Sequence, residues 1–453
     1  MPRIGRVVKL AVALLAAIVV AGAGWLFFAP PELIRVGSAY AAKIVCSNVF
    51  LAKRDAREVL SNDVQAPGHP LLRIMRVSVD EDTRSVTAGL LGVFGKGTAI
   101  AREGLGCTTV PNGDAQEARG TDQFAANNQP ASTMPWPQGN LVTLADNPPL
   151  QHVLDDPMLT GPGMRAVVVV HDGKIVGERY GEGFSAETPL LGWSMTKTVN
   201  AAIIGTLVKA GRMDLGASDL LDVWRGDDRA RITIADLMAM SSGLVFNEDY
   251  GAVTDVTRML FLEPDMADYA ASKPLEARVG QRFNYSSGTA AILSRLWQDA
   301  AGADALAWPR HALFDPLGMS SAVFEVDESG TFAGSSYLYA TARDWARFGQ
   351  FLLQDGVWDG NEILPPGFVS WMREPAPASN GTYGKGQLWL RGPGGPNADE
   401  SVPADAYWLI GHDGQSMAIA PSKGLVVLRL GLTPSKLGYK PQELLSAIAK
   451  ALD

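Results

Sequence analysis

From Leu10 to Pro31 the chain reads LAVALLAAIVVAGAGWLFFAPP, without one charged residue. An apolar helix of that length, rising 1.5 Å per residue, is long enough to cross a bilayer core of about 30 Å. Arg3, Arg6 and Lys9 precede the run, which predicts a cytoplasmic N-terminus and an outer-side location for everything after Pro31. The competing reading is a cleaved signal peptide, because Ala39-Tyr40-Ala41 has the small-x-small form of a cleavage site. The run is long for such a leader, and the site lies well beyond its end. The expectation is therefore an uncleaved anchor over residues 1–35. It would sit in the cell inner membrane, with the body of the protein on the periplasmic side.

Behind the anchor the hydrophobic rhythm shortens. A small α+β module is expected over residues 36–110. Residues 41–60 read as a helix with a polar second half. LLRIMRVSVD and SVTAGLLGVF flank the charged turn EDTR as a hairpin, Gly95-Lys96-Gly97 predicts a further turn, and TAIAREGLGCTTV a third strand. A unit this small is expected to pack or to space rather than to carry chemistry. Residues 111–150 turn polar and Pro-bearing and predict a connecting segment on the surface.

Residues 151–453 hold the main body. RAVVVV, the turn His171-Asp172-Gly173-Lys174 and IVGERYG make a β-hairpin, and MTKTVNAAIIGTLVKAG then has apolar residues at helical spacing with Gly211 as its stop. Helical pieces follow in ITIADLMAMSSG, TAAILSRLWQDAAG and TARDWARFGQFLLQDG. Strand patterns return in WLIGHDGQSMAIA and GLVVLRLG before the closing helix QELLSAIAKALD. The predicted fold class is α/β (α+β). Its mixed sheet, flanked by helices, sets the first and last strands side by side and carries an inserted helical subdomain.

Composition narrows the function. Lys plus Arg number 39 against 48 Asp plus Glu, a formal net charge of −9, which argues against nucleic acid as a partner. Two Cys and five His exclude a Cys-rich zinc site. Cys46 and Cys107 are either a bridge or two buried thiols, and an exported body favours the bridge. Oligomeric state is not fixed by these features.

The chemistry gathers in three motifs. Ser194-Met195-Thr196-Lys197 is the one S-x-x-K of the chain and opens a predicted helix, where free backbone N–H groups favour negative charge. Lys197 lies on the same face as Ser194, and an apolar setting lowers a lysine pKa until it accepts the serine proton. Tyr285-Ser286-Ser287 precedes another helix. A phenol close to a cationic lysine ionises more readily and becomes a usable base, while Ser287 is placed to bond Lys197 or substrate. Gly411-His412-Asp413-Gly414-Gln415 begins a late strand whose small residues admit a substrate backbone. The N–H groups of Gln415 and Ser194 are candidates for facing an oxyanion. A Ser-His-Asp triad through His412 and Asp413 is disfavoured, because no G-x-S-x-G is present and neighbouring strand residues face opposite sides. Asn247-Glu248-Asp249-Tyr250 is expected as a solvated loop on the cleft rim, with meeting a substrate amine as the other role for its carboxylates.

S-x-x-K, then Y-x-S, then a basic-x-Gly before a C-terminal strand is an order that resembles the serine β-lactamase and penicillin-binding protein family. WSMTKTVNAAIIGTLV, LMAMSSGLVFNEDYG, LFDPLGM, YATARDWARFGQFLLQDGVWDG and GHDGQ are similar to the branch with class C β-lactamases, esterases and 6-aminohexanoate-dimer hydrolases, closest to the last. The resemblance covers about Pro162 to Asp453. It implies Ser194 as nucleophile, Lys197 as activator and Tyr285 as base and later acid. It also implies Ser287, His412, Gly414 and Gln415 at the substrate, and no metal or organic cofactor. Ser287 stands where many relatives have Asn. His412-Asp413-Gly414 stands where penicillin-recognising members have Lys-Thr-Gly, which removes a cation suited to a substrate carboxylate. The expected activity is hydrolysis of a small-molecule amide or ester. A D-alanyl peptidase or β-lactamase, and a non-catalytic anchored binding protein of the same fold, are the alternatives.

Overall fold

The computed structural model describes residues 2–113, 118, 133–393 and 402–453, so part of the expected connecting segment at 111–150 lies outside the described residues. Helix α1 (Pro2–Phe28) contains the apolar stretch Val7–Phe28, none of it buried against protein. Its length and composition suit a membrane span and equally a signal sequence.

Pro30 and Pro31 separate α1 from α2 (Glu32–Phe50). The helix expected over 41–60 thus begins earlier and ends earlier. Lys53 adopts a left-handed φ of 56°, and Asp55 starts a new short helix by accepting the N–H groups of Arg57 and Glu58. Beneath α2 lies an antiparallel meander of β1 (Met75–Asp80), β2 (Ser85–Leu90), β3 (Phe94–Arg102) and β4 (Gly106–Thr109). The 81–84 turn falls where the hairpin requires it. Two expectations are corrected. Gly95-Lys96-Gly97 is no turn but part of β3, because α2 presses on the strand there: a Cβ on Gly97 would come within 2.6 Å of the Ala39 backbone nitrogen. TAIAREGLGCTTV is two strands, broken where Gly104 takes a φ of 72°.

Cys46 of α2 and Cys107 of β4 form the disulfide. Beside it, Lys43 of α2 forms a fully buried ion pair with Glu325 of the main body. The other oxygen of Glu325 accepts the Ser47 hydroxyl at 2.8 Å and the Cys107 N–H at 2.6 Å. Apolar side chains of the module, from Val45 to Met75, run without a break into the core of the main body.

That body is built on β5 (Met164–His171), β6 (Lys174–Tyr180), β10 (Tyr407–Gly411), β11 (Gln415–Ala420) and β12 (Leu425–Gly431), in the order β10-β11-β12-β5-β6. The first and last strands pair as expected, Val169 opposite Val427. Every pairing in this sheet is antiparallel, so the mixture is of helices with strands and not of strand directions. RAVVVV is apolar throughout because both faces are covered. Ala166, Val168 and Val170 face the central core with α5 (Ala342–Leu353), while Val167 and Val169 meet Leu444, Leu445 and Ile448 of α6 (Pro441–Leu452). Leu190–Leu191 (β7), Val323–Phe324 (β8) and Leu338–Ala340 (β9) form a second small sheet, in the order β7-β9-β8. Between the sheet halves run α3 (Thr196–Lys209), the short helices Ile234–Met238, Asp255–Phe261 and Met266–Ala271, and α4 (Ser287–Ala301).

The buried ion pair gives a stability prediction. Glu325→Ala strands the Lys43 charge and lowers unfolding free energy by about 3–5 kcal/mol, read from denaturant midpoints. Lys43→Met combined with Glu325→Leu is expected to be more stable than the single variant; an equal or larger loss would contradict this.

Candidate active site

Ser194 lies in the tight turn Trp193–Met195 that feeds α3. Trp193 takes a φ of 48°, a conformation that costs a non-glycine residue about 1–3 kcal/mol and is held only where surrounding structure enforces it. The enforcement is visible at Gly411. A Cβ there would stand 2.3 Å from the Gly192 carbonyl, so only glycine lets β10 close on the turn.

One turn along, Lys197 is wholly buried. Its Nζ donates to Ser194 Oγ at 3.1 Å, to Ser287 Oγ at 3.0 Å and to the Ser335 carbonyl at 3.1 Å. The two helices that carry these groups are stapled by buried Asn200 of α3. Asn200 donates to the Ala290 carbonyl at 3.1 Å and accepts from Trp297 Nε1 at 2.7 Å. Burial draws the Lys197 amine from an ordinary 10.5 down to about 8, and the Glu248 carboxylate keeps it from falling further.

Tyr285 is brought to the same place. Its ring lies under Lys197, with Nζ 4.7 Å from the centroid, and packs on Trp389 at 5.3 Å. The expectation of a readily ionised phenol is corrected. Burial and then the Glu248 charge hold its pKa far above the ordinary value, and contact with the Ser194 hydroxyl offsets only part of that. The amine faces the ring rather than the oxygen, so it gives the phenolate little support.

Ser286, not Ser287, caps α4, accepting the Thr289 N–H at 3.0 Å. Ser287 is left free for Lys197 and for Glu248. The Glu248 carboxylate accepts the Ser287 N–H at 2.8 Å and also its hydroxyl. The expected solvated loop at Asn247-Glu248-Asp249-Tyr250 is thereby corrected at Glu248, which faces inward because α4 offers it two donors. Burial pushes this carboxyl up, and Lys197 and Ser287 pull it down less strongly. Tyr250 turns inward too, stacking on His412 at 4.7 Å. No local periodicity marks Glu248 or Tyr250; the one signal was their place in the phrase LMAMSSGLVFNEDYG.

The third motif divides. His412 lines the cleft between Tyr250 and Trp193, with Nε2 3.5 Å from Asp413 Oδ1. Gly414 turns its carbonyl to Arg429 at 3.0 Å. Gln415, whose N–H is the oxyanion candidate, has its side chain bound within the fold. It donates to the Gly431 carbonyl at 2.6 Å and to the His412 carbonyl at 2.9 Å, and accepts the Gly431 N–H at 2.8 Å. Among the described residues no three His, Cys, Asp or Glu side chains are placed to hold a metal ion.

Residues 157–435, more than half the chain, match the Beta-lactamase family. The chain belongs to that family. A 6-aminohexanoate-dimer hydrolase of Paenarthrobacter ureafaciens is 23% identical over 220 residues, covering 45% of this chain and 55% of that protein, so the chain spans about half the length of this relative. A Bacillus anthracis protein assigned as a 6-aminohexanoate-dimer hydrolase superposes with a TM-score of 0.56 at 23% identity, over 71% of this chain and 86% of its own. A penicillin-binding protein of Bacillus halodurans gives 0.52 at 18%, over 67% and 100%. At these identities the likeness to the two solved structures is one of fold. The Beta-lactamase family match begins at residue 157, beyond the disulfide-bonded Cys46 and Cys107.

Because the Glu248 charge supports the Lys197 ammonium, Glu248→Gln is expected to move the Lys197 titration below its midpoint near pH 8. Side-chain NMR of labelled lysine reads this directly; an unchanged or higher midpoint would show that Glu248 does not act on the amine.

Proposed function

We propose that this Beta-lactamase family member hydrolyses a linear amide or ester through an acyl intermediate on Ser194. The observation that carries the reading is the buried Lys197 amine, drawn to about 8, touching the Ser194 hydroxyl at 3.1 Å. Neutral Lys197 takes the Ser194 proton as Oγ bonds the carbonyl carbon. The tetrahedral oxyanion is held by backbone N–H groups, those of Ser194 and Gln415 being our candidates. As the intermediate collapses and the bond to the leaving group breaks, the leaving amine or alcohol receives its proton from the Lys197 ammonium, which returns to the neutral amine. Neutral Lys197 then takes a proton from water as the water oxygen bonds the acyl carbon, and when the second intermediate collapses the acyl–Oγ bond breaks and the Lys197 ammonium returns that proton to Ser194 Oγ. Tyr285 stays protonated beside Ser194 and is not a standing phenolate, consistent with its raised pKa. Glu248 stabilises the ammonium formed in each half-reaction.

A linear amide or ester is favoured over a β-lactam. His412, paired with Asp413, replaces the fixed cation of penicillin-recognising relatives, and the Paenarthrobacter ureafaciens relative is named as a 6-aminohexanoate-dimer hydrolase. We further propose residues 1–35 as the anchor, 36–110 as the module and 151–453 as the hydrolase body, on the periplasmic side of the inner membrane.

Assays of the full chain against small esters, linear amides and a chromogenic cephalosporin test the reading. Ser194→Ala is expected to lower kcat at least about a thousandfold. Because Lys197 must be neutral to accept a proton, kcat/KM is expected to rise with pH and reach half its plateau near pH 8. Retained turnover in Ser194→Ala, or a rate that falls as pH rises through 8, would overturn it.

A further inference from the structure

A cavity of about 860 Å³ opens beside the Ser194 turn. On one side stand Trp193, Tyr250 and His412, and on the other the module, through Leu33, Val36 and Leu71. This is ample room for a ligand larger than an acetyl group, since small-molecule pockets run about 300–1,000 Å³. Neither Ser194 nor Lys197 lines it, so it is an annex to the reacting centre. Its module wall is apolar apart from His69, and among the described residues Leu33 remains 37% exposed. Leu33 also follows the last residue of α1, Phe28, so closely that the two stand at most about 18 Å apart even with the chain fully extended. The β2–β3 turn lies over the same junction. A Cβ on Gly95 would meet Ile34 and Pro30, and the adjacent Leu91 and Val93 are exposed. The apolar module wall of the cleft, an apolar turn and the end of an apolar helix therefore share one edge of the molecule.

We propose that this cleft holds the hydrocarbon chain of the substrate, which is a single-chain amphiphilic ester or amide drawn from the bilayer in which α1 sits. The proposal rests on the acyl-serine reading above and supplies its substrate class. The reactive carbonyl lies at Ser194. The tail runs past Trp193 and Tyr250 to the Leu33 and Leu71 wall, at the level where a lipid would leave the membrane. The module thus serves as half of the binding site.

The test uses the full chain in phosphatidylcholine vesicles with two substrate series: p-nitrophenyl esters from acetate to palmitate, and acetate esters of straight-chain alcohols. Each methylene taken up by the cleft is expected to raise kcat/KM about two- to fourfold in one series. Partition into vesicles favours long chains for every variant alike, so the decisive reading is relative. Leu71→Asp and Leu33→Asp are each expected to cut the laurate-to-acetate ratio (or its dodecyl counterpart) at least tenfold. Val223→Ser, exposed and outside the cleft, leaves it unchanged. Binding of cis-parinaric acid, a fluorescent eighteen-carbon fatty acid, is expected to weaken tenfold in the same two Asp variants, a reading independent of turnover. Ser194-dependent acetate hydrolysis with unchanged ratios in both Asp variants overturns this inference and leaves the acyl-serine reading standing. Absent hydrolysis with weakened fatty-acid binding in those variants does the reverse.

Discussion

A lysine amine with no exposure to solvent governs the rest of this molecule. Water would hold Lys197 charged, whereas burial removes that support and leaves two serine hydroxyls and one carbonyl in its place. The amine keeps a moderate basicity only because one carboxylate, Glu248, sits near enough to compensate in part. Moving such a group out of water requires a rigid frame. Asn200 locks α3 to α4, Gly411 lets β10 press on the Ser194 turn, and Gln415 ties the third motif to Gly431. The side chains of Asn200 and Gln415 and the bare backbone of Gly411 thus act on the position of Ser194 and Lys197.

The N-terminal module is joined to this frame by more than chain connectivity. Its core is continuous with that of the body, and the Lys43–Glu325 pair sits where the disulfide, α2 and the strap before β9 meet. A buried ion pair adds little net stability over apolar packing, yet it is intolerant of misplacement. Such a pair fixes how the module faces the cleft, which gives the first helix after the apolar segment a defined relation to Ser194.

Much of the fold and of the site was legible in the residues, for physical reasons that also explain the failures. RAVVVV and GLVVLRLG announce strands covered on both sides, and they pair in the sheet. Ser194 and Lys197 could be placed on one face because helical spacing is local. The Cys46–Cys107 pairing had no rival once a bridge was assumed. Gly95 and Gly97 misled, since a glycine admitting a helix and a glycine making a turn look alike in sequence. Glu248 was read as a rim carboxylate and its inward turn was missed, because its partners on α4 are brought near only by tertiary folding. Tyr285 lies against Lys197, but its acidity could not be read from the sequence: distance along the chain says nothing about whether an amine meets a phenol at its oxygen or its face.

The central claim, that Lys197 makes Ser194 a covalent nucleophile, is tested most directly by acid-quenching the enzyme during turnover of a chromogenic ester and mapping the acylated peptide by mass spectrometry. The account predicts a transient acyl group on Ser194 that forms in the wild type and fails to accumulate in Lys197→Ala. Turnover with Ser194 unmodified and the acyl group on another residue, or acylation of Ser194 at the same rate without the Lys197 amine, would contradict it.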